Sequence, residues 1–364
     1  MFLNDIYITS LGTRLGRRLD LDQAVADGRY PAAEHVANAL LGVTVSEDEF
    51  APDLAVAAVR QALERAGTDV VPEDVRLLLH ASAYFQGQDM WTPASYIQHH
   101  TLGGSAPAVE LDQKSNGGMA ALSLAAGFLA GCDDSASVLV TTGERFCPPG
   151  FDRFRTESGT VMADGGTALV LGRRPGFARV VSCALTSDSS LEHMYRGRGL
   201  KDAPASGDKP LNMRARKTDF MRRNVNDLEA ISLRIAGGIG DCIRQVLAEA
   251  KCDADDIRRF VMPNNGRTVR WWTMLADMGV GPERTTWEFG RRISHLGSGD
   301  QTAGLDHLLT TGQLQAGDRV LLAGSGYGFN WGAAVLEILH IPSWAVAGTG
   351  TGREADVTAP APQD

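Results

Sequence analysis

Residues 50–67, FAPDLAVAAVRQALERAG, repeat apolar side chains at helical spacing, and the apolar run DVRLLLHAS (74–82) after them has the length of a buried strand. The alternation then continues. A strand and helix are predicted in the opening stretch, and strands over ASVLVTTGE (136–144) and GTALVLGRR (166–174). The second half repeats the order: a helix over LRIAGGIGDCIRQVLAEAKC (233–252), a strand over IRRFVMPNNG (257–266), a helix over DQTAGLDHLLTTGQL (300–314), and a strand, glycine turn and strand over 318–338.

The halves also echo each other in detail, DGGTALVLG (164–172) against NWGAAVLEI (330–338) and SVLVTTGE against RVLLAGSG. Repeated strand–helix units predict an α/β protein with helices covering both faces of mostly parallel strands. The expected organisation is two duplicated halves, residues 1–174 and 175–342, followed by a tail (343–364) with the composition of disorder. The polar, basic stretch 194–224 reads as a long connection or lid.

A net charge of −9 offers no bulk positive field for nucleic acid or an anionic membrane, so an anionic ligand has to be held locally. The five cysteines lack C-x-x-C spacing, which argues against a disulfide framework and a zinc site and for a reducing compartment. No apolar run reaches the roughly 20 residues of a bilayer span, and the expected location is cytoplasmic.

Chemistry concentrates at VELDQKSNGGMAALSLAAGFLAG (109–131), where Ser115 sits at a strand-to-helix turn. Free backbone N–H groups and the helix dipole favour a developing anion there; serine is also a favoured N-cap, so the position reads as nucleophile or cap. KSNGGMAAL, MADGGTALVLG, VMPNNGR, ISHLGSGDQTAGL and GSGYGFNWGAAVL, in this order, resemble the β-ketoacyl-ACP synthase III family of the thiolase superfamily over roughly residues 3–340. The resemblance implies a thiolase-like fold, two βαβαβ-type halves in a layered α-β-α-β-α sandwich.

Family members carry a nucleophilic cysteine, a histidine and an asparagine. Here Ser115 stands at the cysteine position, Asn264 at the histidine and His295 at the asparagine. A thiol is partly ionised near neutral pH, whereas a serine hydroxyl needs a positioned base. His295 supplies one at the family position that approaches the nucleophile. Asp300 is the candidate to orient it, although it also reads as the cap of its helix, and Asn330 is the alternative. His99, His100 and His193 read as surface or packing residues, with His193 a remote alternative base. By resemblance, the oxyanion hole is the backbone N–H of Ser115 and of Tyr327, with Gly326 and Gly328 shaping the turn.

The implied activity is acyl transfer of secondary metabolism, such as antibiotic or polyketide biosynthesis, from acyl-coenzyme A or an acyl carrier protein through acyl-Ser115 to an alcohol or amine. One alternative is a priming ketosynthase that condenses a starter acyl group with malonyl-ACP, Asn264 and His295 donating to its carbonyl. Another is a catalytically silent partner subunit. Family members are homodimers, and the loop 84–93 corresponds to a segment reaching the partner's acyl pocket, which makes Met90, Trp91 and Thr92 candidate pocket residues. Ser325 replaces a bulky family residue and leaves room beside the nucleophile. Arg214, Arg216, Lys217, Arg222 and Arg223 form a basic segment that fits coenzyme A phosphates or an acidic carrier protein, or is a solvated face. No bound cofactor and no metal are expected.

Overall fold

The computed structural model describes residues 5–200 and 209–346. Its strands are β1 (Tyr7–Leu15), β2 (Arg17–Asp20), β3 (Gly42–Val45), β4 (Val75–Ala81), β5 (Ala108–Leu111), β6 (Ser137–Glu144), β7 (Gly165–Gly172), β8 (Ala178–Ser187), β9 (Ile257–Val261), β10 (Arg319–Gly326) and β11 (Asn330–Ile338). Nine of them form one sheet, ordered β5-β4-β6-β7-β1-β8-β11-β10-β9, while β2 and β3 pair separately. The large sheet is two half-sheets joined at a narrow seam, Tyr7 opposite Arg179 and Ile8 opposite Ala178. The duplication read from sequence is visible in it: β6 pairs antiparallel with β7, and β10 pairs antiparallel with β11.

Three helical layers enclose the half-sheets. The Ala51–Ala66 helix packs on β1, β6 and β7 through Ala55, Val59 and Ala62. The Leu228–Glu249 helix packs on the other half through Ile239, Ile243 and Val246. Between the half-sheets lie the Gly117–Leu129 and Asp300–Thr310 helices, which share one core with strands of both halves. A helix enclosed on two sides cannot afford a polar face, which explains the almost uninterrupted apolar sequence GMAALSLAAGFL. Each fully buried Leu or Ile side chain in this core contributes about 1.5–3 kcal/mol. The layers bring the N-termini of the two central helices together, and the candidate residues sit there.

Four expectations are revised. The strands are not mostly parallel: β4 pairs parallel with β5 and β6, and β9 with β10, while the other five neighbouring pairs of the large sheet are antiparallel. The strand from Ile257 ends at Val261, because Pro263 has no N–H for a ladder. Strand β8, unmarked in the sequence, runs through the middle of the sheet with Ser182 and Cys183 interrupting its apolar pattern; Ser182 Oγ donates to Val246 O at 2.8 Å. The expectation of disorder from residue 343 fails for its first residues, since Ser343–Val346 is helical, Ala345 is buried and Trp344 packs under Arg65. The rest of the tail and residues 201–208 of the basic connection lie outside the described residues. Among the described residues no helix is long and apolar enough to cross a membrane.

Candidate active site

The nucleophile turn is built by close approach of two loops. Lys114 takes a left-handed backbone conformation (φ 49°), which folds the chain sharply from β5 into the short turn Lys114–Asn116 and then the helix from Gly117. Ser115 therefore stands at the positive end of that helix. Ser298 of the facing loop lies directly over it: its Oγ donates to Lys114 O at 2.8 Å, and a Cβ on Gly118 would sit 2.3 Å from Ser298 O. The Gly-Gly pair after Asn116 is thus set by the second loop.

That second loop carries the histidine. His295 follows the end of the Trp287–Ile293 helix, and its backbone pairs with the single segment 161–163, its N–H donating to Val161 O at 3.0 Å and its C=O accepting from Ala163 N at 2.8 Å. Its ring bridges two partners. Ser115 Oγ is 2.8 Å from Nε2, and Nδ1 is 2.5 Å from Asp300 Oδ2. With Nδ1–H donating its hydrogen bond to the carboxylate, Nε2 is left to accept from the serine hydroxyl.

Asp300 is fully buried, and the cost of burying its carboxylate is offset by donors on both oxygens. Asn264 N reaches Oδ2 at 2.8 Å, while Asn264 Nδ2 and Leu296 N each reach Oδ1 at 2.8 Å. This placement corrects the expectation for Asn264. Its side-chain amide points at Asp300 rather than toward a substrate carbonyl, and the neighbouring Asn265 lines the adjacent cavity instead. Asn330 donates to Tyr327 O at 3.3 Å, so Asp300 is the group in contact with the imidazole. His193 packs edge-on to Phe220, and His99 against His100.

Beneath the loop lies Glu144, fully buried at the end of β6. Its Oε1 accepts from Ala83 N at 2.6 Å and Ser298 N at 3.2 Å, while Oε2 has no protein partner among the described residues. Burial pushes its carboxyl up to about 8. At neutral pH it is therefore largely a neutral acid supporting the turn that holds Ser298.

Two cavities, each of about 680 Å³, meet at Ser115. The first is walled by Tyr84, Phe146, Phe151, Met162 and Leu211, with Arg216 and Arg196 among its polar groups. The second sets Glu157, Ser158, Thr160, Asn265 and Thr268 beside His295 and Ser325, facing an apolar wall of Met194, Ile235, Ile239 and Phe329. Tyr195 and Tyr327 line both and form the partition. Gly326, just before Tyr327, lies against the nucleophile turn: a Cβ there would be 2.1 Å from Gln113 O and 2.9 Å from Asn116 N. Tyr327, the residue after it, lines both cavities together with Ser115.

Of the loop candidates, Trp91 lines the first cavity, whereas Met90 and Thr92 are exposed and line neither. The basic segment does not act as one patch. Arg214 is held by Glu34 and by the carbonyls of Phe154 and Glu157; Arg216 donates to Tyr195 O at 2.8 Å and enters the first cavity; Lys217 lines the second. Arg222 and Arg223 are exposed, with Arg223 bonded to Asp219 at 3.1 Å. Glu157, Tyr195 and Asn265 were not singled out from sequence. Tyr195 lies in the polar connection and Glu157 in the irregular FRTESGT, where no periodicity or motif marks a residue that folds inward from far along the chain. Among the described residues no group of His, Cys, Asp or Glu is arranged to hold a metal ion.

Residues 247–338 match the family described as 3-oxoacyl-[acyl-carrier-protein (ACP)] synthase III C terminal. The 3-oxopimeloyl-[acyl-carrier-protein] synthase of Rhodothermus marinus is 28% identical over 295 residues, 80% of this chain and 81% of that protein. Acetoacetyl CoA synthase NphT7 of a Streptomyces species is 27% identical over 300 residues, 80% of this chain and 85% of its own length. Among solved structures, ChlB3, described as an acyltransferase, superposes with a TM-score of 0.86 at 35% identity, covering 94% of this chain and 100% of that one. The 3-oxoacyl-[acyl-carrier-protein] synthase III of Aquifex aeolicus superposes at 0.73 with 17% identity, over 91% and 99% of the two chains, a likeness of fold.

Proposed function

The chain belongs to the β-ketoacyl-ACP synthase III-like proteins of the thiolase superfamily, and from that premise we propose that it is an acyltransferase working through an ester on Ser115. The observation that carries this reading is the relay from Ser115 Oγ to His295 Nε2 and from Nδ1 to Asp300. His295 takes the hydroxyl proton as Oγ attacks the thioester carbonyl, and the charge on that oxygen is met by the N–H groups of Ser115 and Tyr327. The C–S bond breaks and the proton passes to the leaving thiolate. An alcohol or amine then gives its proton to the same Nε2 while attacking the ester carbonyl, and the proton returns to Oγ as the acyl group leaves. One base serves both halves.

The engagement of the Asn264 amide with Asp300 favours this reading over decarboxylative condensation, which needs two side-chain donors on the malonyl carbonyl. The relatives named for carrier-protein and coenzyme A chemistry support a thioester of either kind as donor. The two cavities that meet at Ser115 give the acyl group and the acceptor or the donor's arm separate places on either side of the nucleophile. The pairing and placement of Arg214, Arg216, Lys217 and Arg223 leave Arg222 as the residue of this segment fitted to a phosphate or carrier protein at the surface.

Intact-protein mass spectrometry after mixing wild type, Ser115→Ala and His295→Ala with acyl-coenzyme A and acyl-carrier thioesters tests the proposal. Adduct on wild type alone supports it, and a chase with alcohols and amines against malonyl-ACP separates transfer from condensation. Absence of adduct with every thioester would move the silent-subunit reading forward.

A further inference from the structure

Behind the partition, on the side of the second cavity, stands a buried carboxylate that the relay does not use. Glu157 is 5% exposed. Its Oε2 accepts from the Tyr327 hydroxyl at 3.2 Å, and its Oε1 accepts from Ser158 N at 2.7 Å and Ser158 Oγ at 3.2 Å, with Lys217 Nζ 3.9 Å away. The ring of Tyr195 stacks on that of Tyr327, centroids 3.7 Å apart and planes 20° from parallel. Burial first, and then the charge of Glu157, pushes both phenols well above their ordinary range, so both remain O–H donors at any working pH.

A negative charge near a developing oxyanion is unfavourable, so a direct electrostatic contribution from Glu157 would oppose the chemistry. Its geometry serves a different end. Tyr327 is fixed at three points: Gly326 seats its backbone against Gln113 and Asn116, Tyr195 covers its ring, and Glu157 holds its hydroxyl. The Ser158 donors and Lys217 keep the carboxylate in place from the other side.

We propose that Glu157 is a positioning residue that, through the Tyr327 hydroxyl, holds the Tyr327 N–H where the oxyanion of the Ser115 reaction forms. The inference rests on the acyl-Ser115 reading. Displacement of an oxyanion donor by a fraction of an ångström lowers the chemical step and leaves ground-state binding unchanged.

The test is single-turnover acylation of wild type, Tyr327→Phe, Glu157→Ala, Glu157→Gln and the Tyr327→Phe/Glu157→Ala double variant, with thermal unfolding of each. Tyr327→Phe keeps the ring, the stack and the peptide N–H, so it is the variant least able to disturb folding. Tyr327→Phe and Glu157→Ala are expected to lower the acylation rate constant roughly tenfold, with the half-saturating thioester concentration unchanged. The double variant should be no slower than the slower single variant, because both remove one contact. Glu157→Gln, which keeps an acceptor, should restore the rate to within about threefold of wild type. Additive losses, a change confined to half-saturation, or a full rate in Tyr327→Phe would overturn the inference. Wild type that forms no acyl-enzyme would overturn the serine reading itself, and this inference with it; wild type that acylates while the variants match it overturns this inference alone.

Discussion

At Ser115 the exchange of a thiol for a hydroxyl makes the base indispensable, and this dependence can be measured. A Ser115→Cys variant has a nucleophile that ionises by itself to a useful extent. Removing His295 is therefore expected to cost at least tenfold less in acylation rate in the Ser115→Cys background than in wild type, read by stopped-flow release of the thiol. Equal losses in both backgrounds would place His295 outside proton transfer. Asp300→Asn leaves the shape of the site but removes the charge that holds the Nδ1 proton, and a loss of roughly 10³- to 10⁴-fold in turnover is expected. Glu144 makes a prediction about stability. Its folded carboxyl lies near 8, above the ordinary value of 4.5, so the folded state holds the proton more tightly than the unfolded chain. The contribution is fully present below about 4.5 and is lost as pH rises through about 8. Denaturant titrations between pH 5 and 8 should show stability falling with pH, and Glu144→Gln, which copies the neutral acid, should flatten that slope. At this scale the sequence was informative where partners are local or marked by motif: His295 and Asp300 are five residues apart in one loop. It was silent about Glu157 and Tyr195, and the resemblance gave the Asn264 amide to a malonyl carbonyl in the condensing alternative, because the direction of a side chain depends on a neighbour from another part of the chain.

Among the elements, the two loops that meet at the helix N-termini decide how well the site is assembled. Gly326 is the sharpest case, because the atoms a Cβ would strike, Gln113 O and Asn116 N, are backbone and cannot swing aside. Gly326→Ala is therefore expected to push the Tyr327 turn away from Ser115 and to reduce acylation roughly a hundredfold. Far-UV circular dichroism should remain that of wild type, since β10 and β11 continue to pair over Arg319–Glu337 to Gly324–Gly332. An unchanged rate would show that the turn does not serve the oxyanion. The elements themselves were legible where periodicity is strong: the helix expected over 50–67 spans Ala51–Ala66, and the glycine turn between two strands falls between Gly326 and Asn330. Less regular pieces were not. The Trp271–Asp277 and Trp287–Ile293 helices are short and carry few apolar repeats, and β8 hides its strand character behind small polar residues.

For the whole molecule, the narrow seam between the half-sheets leaves β5 as one free edge of the sheet, beside the nucleophile helix. An unpaired edge invites another strand, and exposed apolar groups beside it mark an interaction surface. Val109 on that strand is 41% exposed, and Leu124 and Phe128 of the helix are 49% and 41% exposed. Phe85 and Met90 of the loop expected to reach a partner are exposed as well. Large apolar groups on a helix whose other faces are core residues are unfavourable in water, and a second copy paired across this edge would cover them. Light scattering coupled to size exclusion should therefore find twice the mass of one chain, and Leu124→Glu/Phe128→Glu should return it to a single chain mass while retaining the native circular dichroism. If the loop 84–93 completes the partner's first cavity, the monomeric variant also loses discrimination among acyl chain lengths, whereas Ser115 continues to be acylated by the shortest thioester. A wild type that runs as a single chain at micromolar concentration would instead assign the exposed edge to some other partner and leave Trp91 as a wall of its own chain's cavity.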